Sequence, residues 1–181
     1  MIRMYFWTGI SVNEQLLPLR EIIARAEAQL SFALSNLSLP LHTTLKMPFW
    51  AEDALTDAIC LALQSYFIKL QPFELPVQGP EHFDQIAWLR LKENPKLNQV
   101  QDELLDLLGT AFGIESHEYD RDRKFHVTLF MDEDREKIAE AFRSVEKVAF
   151  PAFLRADRFI IAASPSGDFG SYQILKEIRK K

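Results

Sequence analysis

Hydrophobic and polar positions alternate through PLHTTLKMPFW, residues 40–50. Leu41, Thr43, Leu45 and Met47 fall on one side of a strand, and His42, Thr44 and Lys46 fall on the other. The first side can bury. The second sets an imidazole, a hydroxyl and an ammonium in a row, each about 6.6 Å from the next at roughly 3.3 Å per residue. The pattern returns at KFHVTLFMDED, which begins at Lys124, with Phe125, Val127, Leu129 and Met131 opposed to His126 and Thr128. Aligned on their histidines, LHTTLKM and FHVTLFM share H-x-T-L and a following Met. The separation, 126 − 42 = 84 residues, is close to half of a 181-residue chain. Two copies of one strand at corresponding places point to an internal duplication.

The surrounding pattern agrees. MIRMYFWTGIS reads as an apolar first strand. EQLLPLREIIARAEAQL has helical spacing, with Asn13 as its N-cap and Pro18 in its first turns, where proline is best tolerated. AEDALTDAICLALQSYF is a second amphipathic helix with acids at its start. FELPVQGPEHF and QIAWLRLK follow as strands, the first made an edge or bulged strand by Pro76. In the second half NPKLNQVQDELLDLLGTAFG is a helix with Asn94 as N-cap and Pro95 in the first turn. The polar stretch IESHEYDRDR leads into the second histidine strand, and DREKIAEAFRSV is the helix after it. FPAFLRADRFIIAAS and GSYQILKEIRK close the chain as strands joined by the turn-rich PSGDFG. This grammar predicts an α+β domain over residues 1–181 with two pseudo-equivalent lobes.

Composition narrows the function. At 48% apolar and 26% charged, the chain buries enough surface to need no disulfide or metal for stability. Its single cysteine, Cys60, sits at a helical core position and makes neither an internal disulfide nor a zinc site. The opening residues lack a signal-peptide pattern and no apolar run approaches 18 residues, so a soluble, cytoplasmic protein is expected, without membrane partners. A net charge of −5 disfavours gripping duplex nucleic acid by its phosphates.

Rival chemistries fare poorly. Neither H-E-x-x-H nor paired cysteines are present, and His117, Asp120, Asp122 and His126 read better as a polar loop than as metal ligands. Asp168–Gly170 spells DFG without the other kinase motifs, and Ser-His-Asp catalysis lacks its G-x-S-x-G elbow. His82 and His117 read as surface or packing residues. The paired H-x-T motifs have a logic of their own. Two imidazoles flanking one phosphorus divide the work, one taking a proton from water and the other giving one to the departing oxygen. The hydroxyls of Thr44 and Thr128 donate to non-bridging oxygens as charge builds there. Lys46 would add a positive charge. Phe130 stands at the matching place of the second motif, so one half would face a nucleoside and the other water.

HTTL, HVTL, their half-chain separation and the flanking strand–helix order resemble the 2H phosphoesterase superfamily, which includes the bacterial 2′-5′ RNA ligase-like proteins. LHTTLKMPF is most similar to the bacterial phosphoesterase branch. There a proline precedes each histidine; this chain has Leu41 and Phe125, with Pro40 one residue earlier. The resemblance runs over nearly the whole chain, to the closing RFIIAASPSGDFGSYQILKEI. It implies a bilobal fold with antiparallel sheets lining a central groove and helices outside, where His42, Thr44, His126 and Thr128 meet. The implied chemistry is metal- and cofactor-independent opening of 2′,3′-cyclic phosphates, or action on 2′-5′ linkages, at RNA ends or on nucleotides. Phe49, Trp50, Tyr119 and Phe169 are then candidates to stack a base, and Arg121, Arg123 and Lys124 to meet a neighbouring phosphate. A monomer is expected. The alternative is a non-catalytic RNA-end or nucleotide-binding module with the same groove.

Overall fold

The computed structural model describes residues 3–33 and 35–181, so Met1 and Ile2 of the first strand reading lie outside it. The strands are β1 (Arg3–Ser11), β2 (His42–Glu52), β3 (Phe73–Phe83), β4 (Ile86–Leu91), β5 (His126–Met131), β6 (Phe153–Ala156), β7 (Arg158–Ser164) and β8 (Gln173–Arg179). The helices are α1 (Leu17–Leu30), α2 (Thr56–Lys69), α3 (Pro95–Phe112), α4 (Glu118–Asp122) and α5 (Arg135–Arg143). One antiparallel sheet takes the order β6-β3-β4-β5-β2-β1-β7-β8. It divides into four and four, with the histidine strands β2 and β5 at the centre. Each half contains one strand–helix–strand unit, β1-α1-β2 or β4-α3-β5, and each unit is followed by a helix, α2 or α5. The expected α+β fold with two related halves is present.

Local chemistry explains most element ends. The Asn94 side chain accepts from the backbone N–H groups of Lys96 and Leu97 at 2.9 and 3.2 Å, capping α3 with Pro95 in the first turn. Asp134 caps α5 in the same way. Asn13 does not cap α1: it opens a short 3-10 turn, and its side chain instead accepts from the Leu41 N–H at 3.2 Å. The start of α1 is thus tied to the residue before His42. Strand β3 carries Pro76 and is bulged between Val77 and Gly79, but it is not an edge, because β6 covers it. FPAFLRADRFIIAAS breaks at Asp157: β6 pairs with β3 and β7 with β1, toward opposite ends of the sheet. The polar stretch before β5 contains the short helix α4.

The core forms where the helices cover one face of the sheet. Phe6 and Ile10 of β1 enter it, as do Leu41 and Leu45, Val127 and Leu129, with Phe67 stacked on Phe159 at 4.9 Å between ring centres. Residues of opposite parity face away from the helices. There Trp7, Ile160 and Ala162 form a second, smaller cluster with Tyr172 packed against it. The histidines belong to this second face.

Candidate active site

The sheet brings the two motifs together at its centre. β2 and β5 pair antiparallel at Thr43 and Val127, the middle residues of the two H-x-T triplets. One step either side, His42 stands across from Thr128 and Thr44 across from His126. Opposed residues of an antiparallel pair project to the same face, so all four side chains share one surface. The neighbouring strands add to it. Gly9 and Ser11 of β1 are registered with Thr44 and His42, while Trp88 and Arg90 of β4 are registered with Thr128 and His126.

Both imidazoles are held alike. His42 Nδ1 lies 2.7 Å from the Pro40 carbonyl and His126 Nδ1 lies 2.7 Å from the Lys124 carbonyl. A carbonyl only accepts, so each Nδ1 carries the hydrogen and each Nε2 is left free to take a proton. Desolvation pushes the His42 pKa down to about 4, opposed by the Pro40 hydrogen bond and assisted by the charge of His126. His126 is also lowered by desolvation, against the pull of the Lys124 carbonyl. Both rings are therefore held toward the neutral form near pH 7.

Each histidine has a tryptophan beside it. The Trp7 ring meets His42 edge-on, 4.2 Å between centres, and its Nε1 donates to Thr44 Oγ1 at 3.3 Å. Trp88 lies 5.3 Å from His126 at a shallower angle. Neither tryptophan, nor Arg90, stands out in a sequence read motif by motif. The signal that finds the tryptophans is the duplication extended backward: Trp7 precedes His42 by 42 − 7 = 35 residues and Trp88 precedes His126 by 126 − 88 = 38.

Two expected binding residues are in the core. Thr44 pairs with Gly9 but Lys46 pairs with Thr8, so β2 carries an extra residue, Leu45, at a bulge. The slip turns Lys46 to the helix side, where it is 1% exposed. Its ammonium lies 2.7 Å from Asp120 Oδ2, the other Asp120 oxygen accepts from the Met47 N–H at 2.8 Å, and Gln101 donates to the Leu45 carbonyl at 3.0 Å. Buried side chains from α3 and α4 thus satisfy the backbone groups that the bulge withdraws from the ladder. Lys46 is not in the groove. The same slip recurs in β5, where Phe130 is fully buried and packs on Phe32, so neither matching position faces a nucleoside or water. A second slip, between Phe6 and Thr8 of β1, leaves Phe49 buried and stacked on Phe6 at 5.5 Å, unavailable to a base.

The other candidates are at the surface. Tyr119 is 61% and Phe169 39% exposed, and Trp50 is half-exposed with the Arg3 guanidinium 4.1 Å from its ring centre. Arg123 pairs with Asp102 at 2.6 Å, Lys124 with Asp122 at 2.9 Å, and Arg121 donates to Ser116. Arg90, the cation registered with His126, has one guanidinium nitrogen 3.3 Å from Glu81. Asp120 is committed to Lys46, Met47 and the His117 N–H, while His117 accepts from Tyr119 as the cap of α4. Among the described residues, no three His, Cys, Asp or Glu side chains converge as metal ligands. Likewise, no described helix is long and apolar enough to cross a membrane.

A two-halved antiparallel sheet with a paired H-x-T centre defines a class, and comparison with known proteins identifies it. The profile of the 2′-5′ RNA ligase superfamily matches residues 14–167, and the chain belongs to that superfamily, the 2H phosphoesterases. Among solved structures it is similar to E. coli LigT complexed with 3′-AMP, at 17% identity and a TM-score of 0.63 over 99% of both chains. TT0787 of Thermus thermophilus is similar at 17% identity and a TM-score of 0.60 over 97% of both chains. A phosphoesterase structure matches at 18% identity and a TM-score of 0.60 over 98% of both. These likenesses speak for the fold. A search among curated proteins returns no significant match.

Proposed function

We propose that this protein is a metal-independent phosphoesterase that opens 2′,3′-cyclic phosphates, or acts on 2′-5′ phosphodiester linkages, at RNA ends or on nucleotides. One observation carries the reading: two imidazoles, each with Nδ1 tied to the carbonyl two residues back, share one face of the sheet, each across from the other motif's threonine. A binding module has no need of two matched proton-transfer nitrogens. His42, the more desolvated ring, takes a proton from water, whose oxygen attacks phosphorus. The leaving ribose oxygen receives a proton from His126, which gains it when the anionic phosphate enters and opposes the downward shift. Thr44 and Thr128 donate to the non-bridging oxygens, and their preset donors supply stabilisation that a metal would otherwise give.

Nucleotide substrates agree with solved complexes of the similar LigT with 3′-AMP and with ATP. Tyr119 and Phe169 are the exposed rings proposed to stack a base, and Arg123 the cation proposed to reach a neighbouring phosphate. Both H-x-T motifs lie on one chain, so the proposed site needs no second copy, and we propose a monomer; we also propose that it acts in the cytoplasm. The test is turnover of nucleoside 2′,3′-cyclic phosphates and 2′-5′-linked dinucleotides, with and without EDTA. Turnover that survives EDTA and is lost in His42→Ala and His126→Ala is expected. Loss with EDTA alone overturns the metal-independent mechanism, and tight nucleotide binding without turnover gives the groove to a binding module.

A further inference from the structure

We infer that Trp7 is a positioning residue of the groove, setting the Thr44 hydroxyl and the His42 ring for reaction. The inference rests on the proposed phosphoester chemistry for its kinetic consequences, but its contacts can be tested without turnover. Trp7 is 4% exposed on the helix-free face, backed by Ile160 and Ala162 and by Tyr172. Its Nε1–H donates to Thr44 Oγ1 at 3.3 Å. A hydroxyl that accepts from an indole keeps its own hydrogen for a different acceptor. The bond therefore turns the Thr44 O–H away from Trp7, toward the space where a phosphate oxygen would sit. A hydroxyl without that bond rotates among acceptors and must be ordered as charge develops.

The indole reaches this place because β1 has no side chain in its way. A Cβ on Gly9 would lie 2.8 Å from Trp7 Cζ2 and 2.5 Å from the Thr43 carbonyl. Gly9 is thus required by close approach, with the ring of Trp7, two residues earlier, folded across it toward β2. The same ring presents its edge to His42 and excludes water from one side of the imidazole. The half of the site around His126 lacks this device in so close a form, since Trp88 lies more than 1 Å farther from its histidine and, though registered with Thr128, does not hydrogen-bond to it.

The test is a double-mutant cycle of Trp7→Phe with Thr44→Val on a nucleoside 2′,3′-cyclic phosphate. Phenylalanine keeps an aromatic ring and removes the N–H. Trp7→Phe is expected to lower kcat about 10- to 100-fold with KM little changed, and the double variant to be no slower than Thr44→Val alone. Thr44→Ser, which keeps the hydroxyl, is expected to restore most of the activity lost in Thr44→Val. A fully active Trp7→Phe, or losses that simply multiply, overturns the inference. Two NMR readouts stand apart from activity. The Trp7 indole N–H should resist hydrogen exchange in the parent and lose protection in Thr44→Val. The His42 titration should stay low in Trp7→Phe and rise toward its ordinary range in Trp7→Ala. If the parent turns over no cyclic phosphate, the proposed function falls, and these readouts decide the inference alone: unchanged exchange and titration would end it.

Discussion

Asp120→Ala should be among the most damaging single changes outside the groove. Lys46 and Asp120 are both about 1% exposed and 2.7 Å apart. Removing one partner of a buried pair leaves the other charge uncompensated, which costs about 3–5 kcal/mol. Here the carboxylate also accepts from the backbone N–H groups of Met47 and His117 at 2.8 and 2.7 Å, so its loss undoes the bulge in β2 and the cap of α4 together. We therefore expect about 4–5 kcal/mol for Asp120→Ala. Lys46→Met should cost less, about 2–3 kcal/mol, because the remaining carboxylate keeps two donors. The double variant Lys46→Met with Asp120→Asn should be more stable than Asp120→Ala, since it strands no charge. Urea unfolding measures this: at about 2 kcal/mol per molar, Asp120→Ala shifts the midpoint by roughly 2 M. The same set decides where Lys46 acts. If Lys46→Met unfolds at the parent's midpoint while losing activity, the lysine is a phosphate ligand and the burial argument is wrong.

Three further outcomes are expected. His42→Ala or His126→Ala should lower kcat on the true cyclic phosphodiester by roughly 10²- to 10⁴-fold, with the double variant losing less than the product; steady-state kinetics checks both. Because the folded pKa of His42 is about 4 against about 6.5 unfolded, the unfolded chain takes up the proton first on acidification. Stability should fall as pH drops from about 6.5 to about 4, by at most about 3 kcal/mol since the residue is only half-buried, and His42→Gln should flatten urea midpoints over that window. Asn94→Ala should cost about 1 kcal/mol by removing the cap of α3, read as a small loss of midpoint with unchanged activity.

The sequence was most legible where one local rule acted alone. Asn94 followed by Pro95 can start a helix in only one sensible way, and the strand alternation around His42 and His126 held from Leu41 to Leu45 and from Phe125 to Leu129. It failed one residue later in both motifs. A bulge inserts a residue without changing the local hydrophobic pattern much, because what stabilises it comes from afar: Gln101 on α3 and Asp120 on α4 lie 56 and 74 residues beyond the groups they satisfy or pair with. A lysine in an alternating strand therefore reads as exposed when its counter-charge is written elsewhere. The split at Asp157 was hidden similarly. Both segments are apolar strands in one continuous run, and only pairing partners in different halves of the sheet separate them.

The failure at residue 46 also explains how a duplicated site can have a direction. Lys46 and Phe130 occupy matching positions and are buried by the same slip, so the difference between the two halves cannot arise there. It arises on the strands beside the motifs. Around His42, a glycine lets a tryptophan fold against the imidazole and bond the adjacent threonine. Around His126, the tryptophan stands farther off, and the neighbouring strand brings Arg90 into register with the histidine. One side of the groove is thus drier and the other carries the cation. A nucleophilic water is best served by a base that stays neutral, and a departing oxygen by an acid close to the phosphate charge. Two copies of H-x-T hold the same atoms, and in the proposed mechanism it is their unlike neighbours that would separate base from acid.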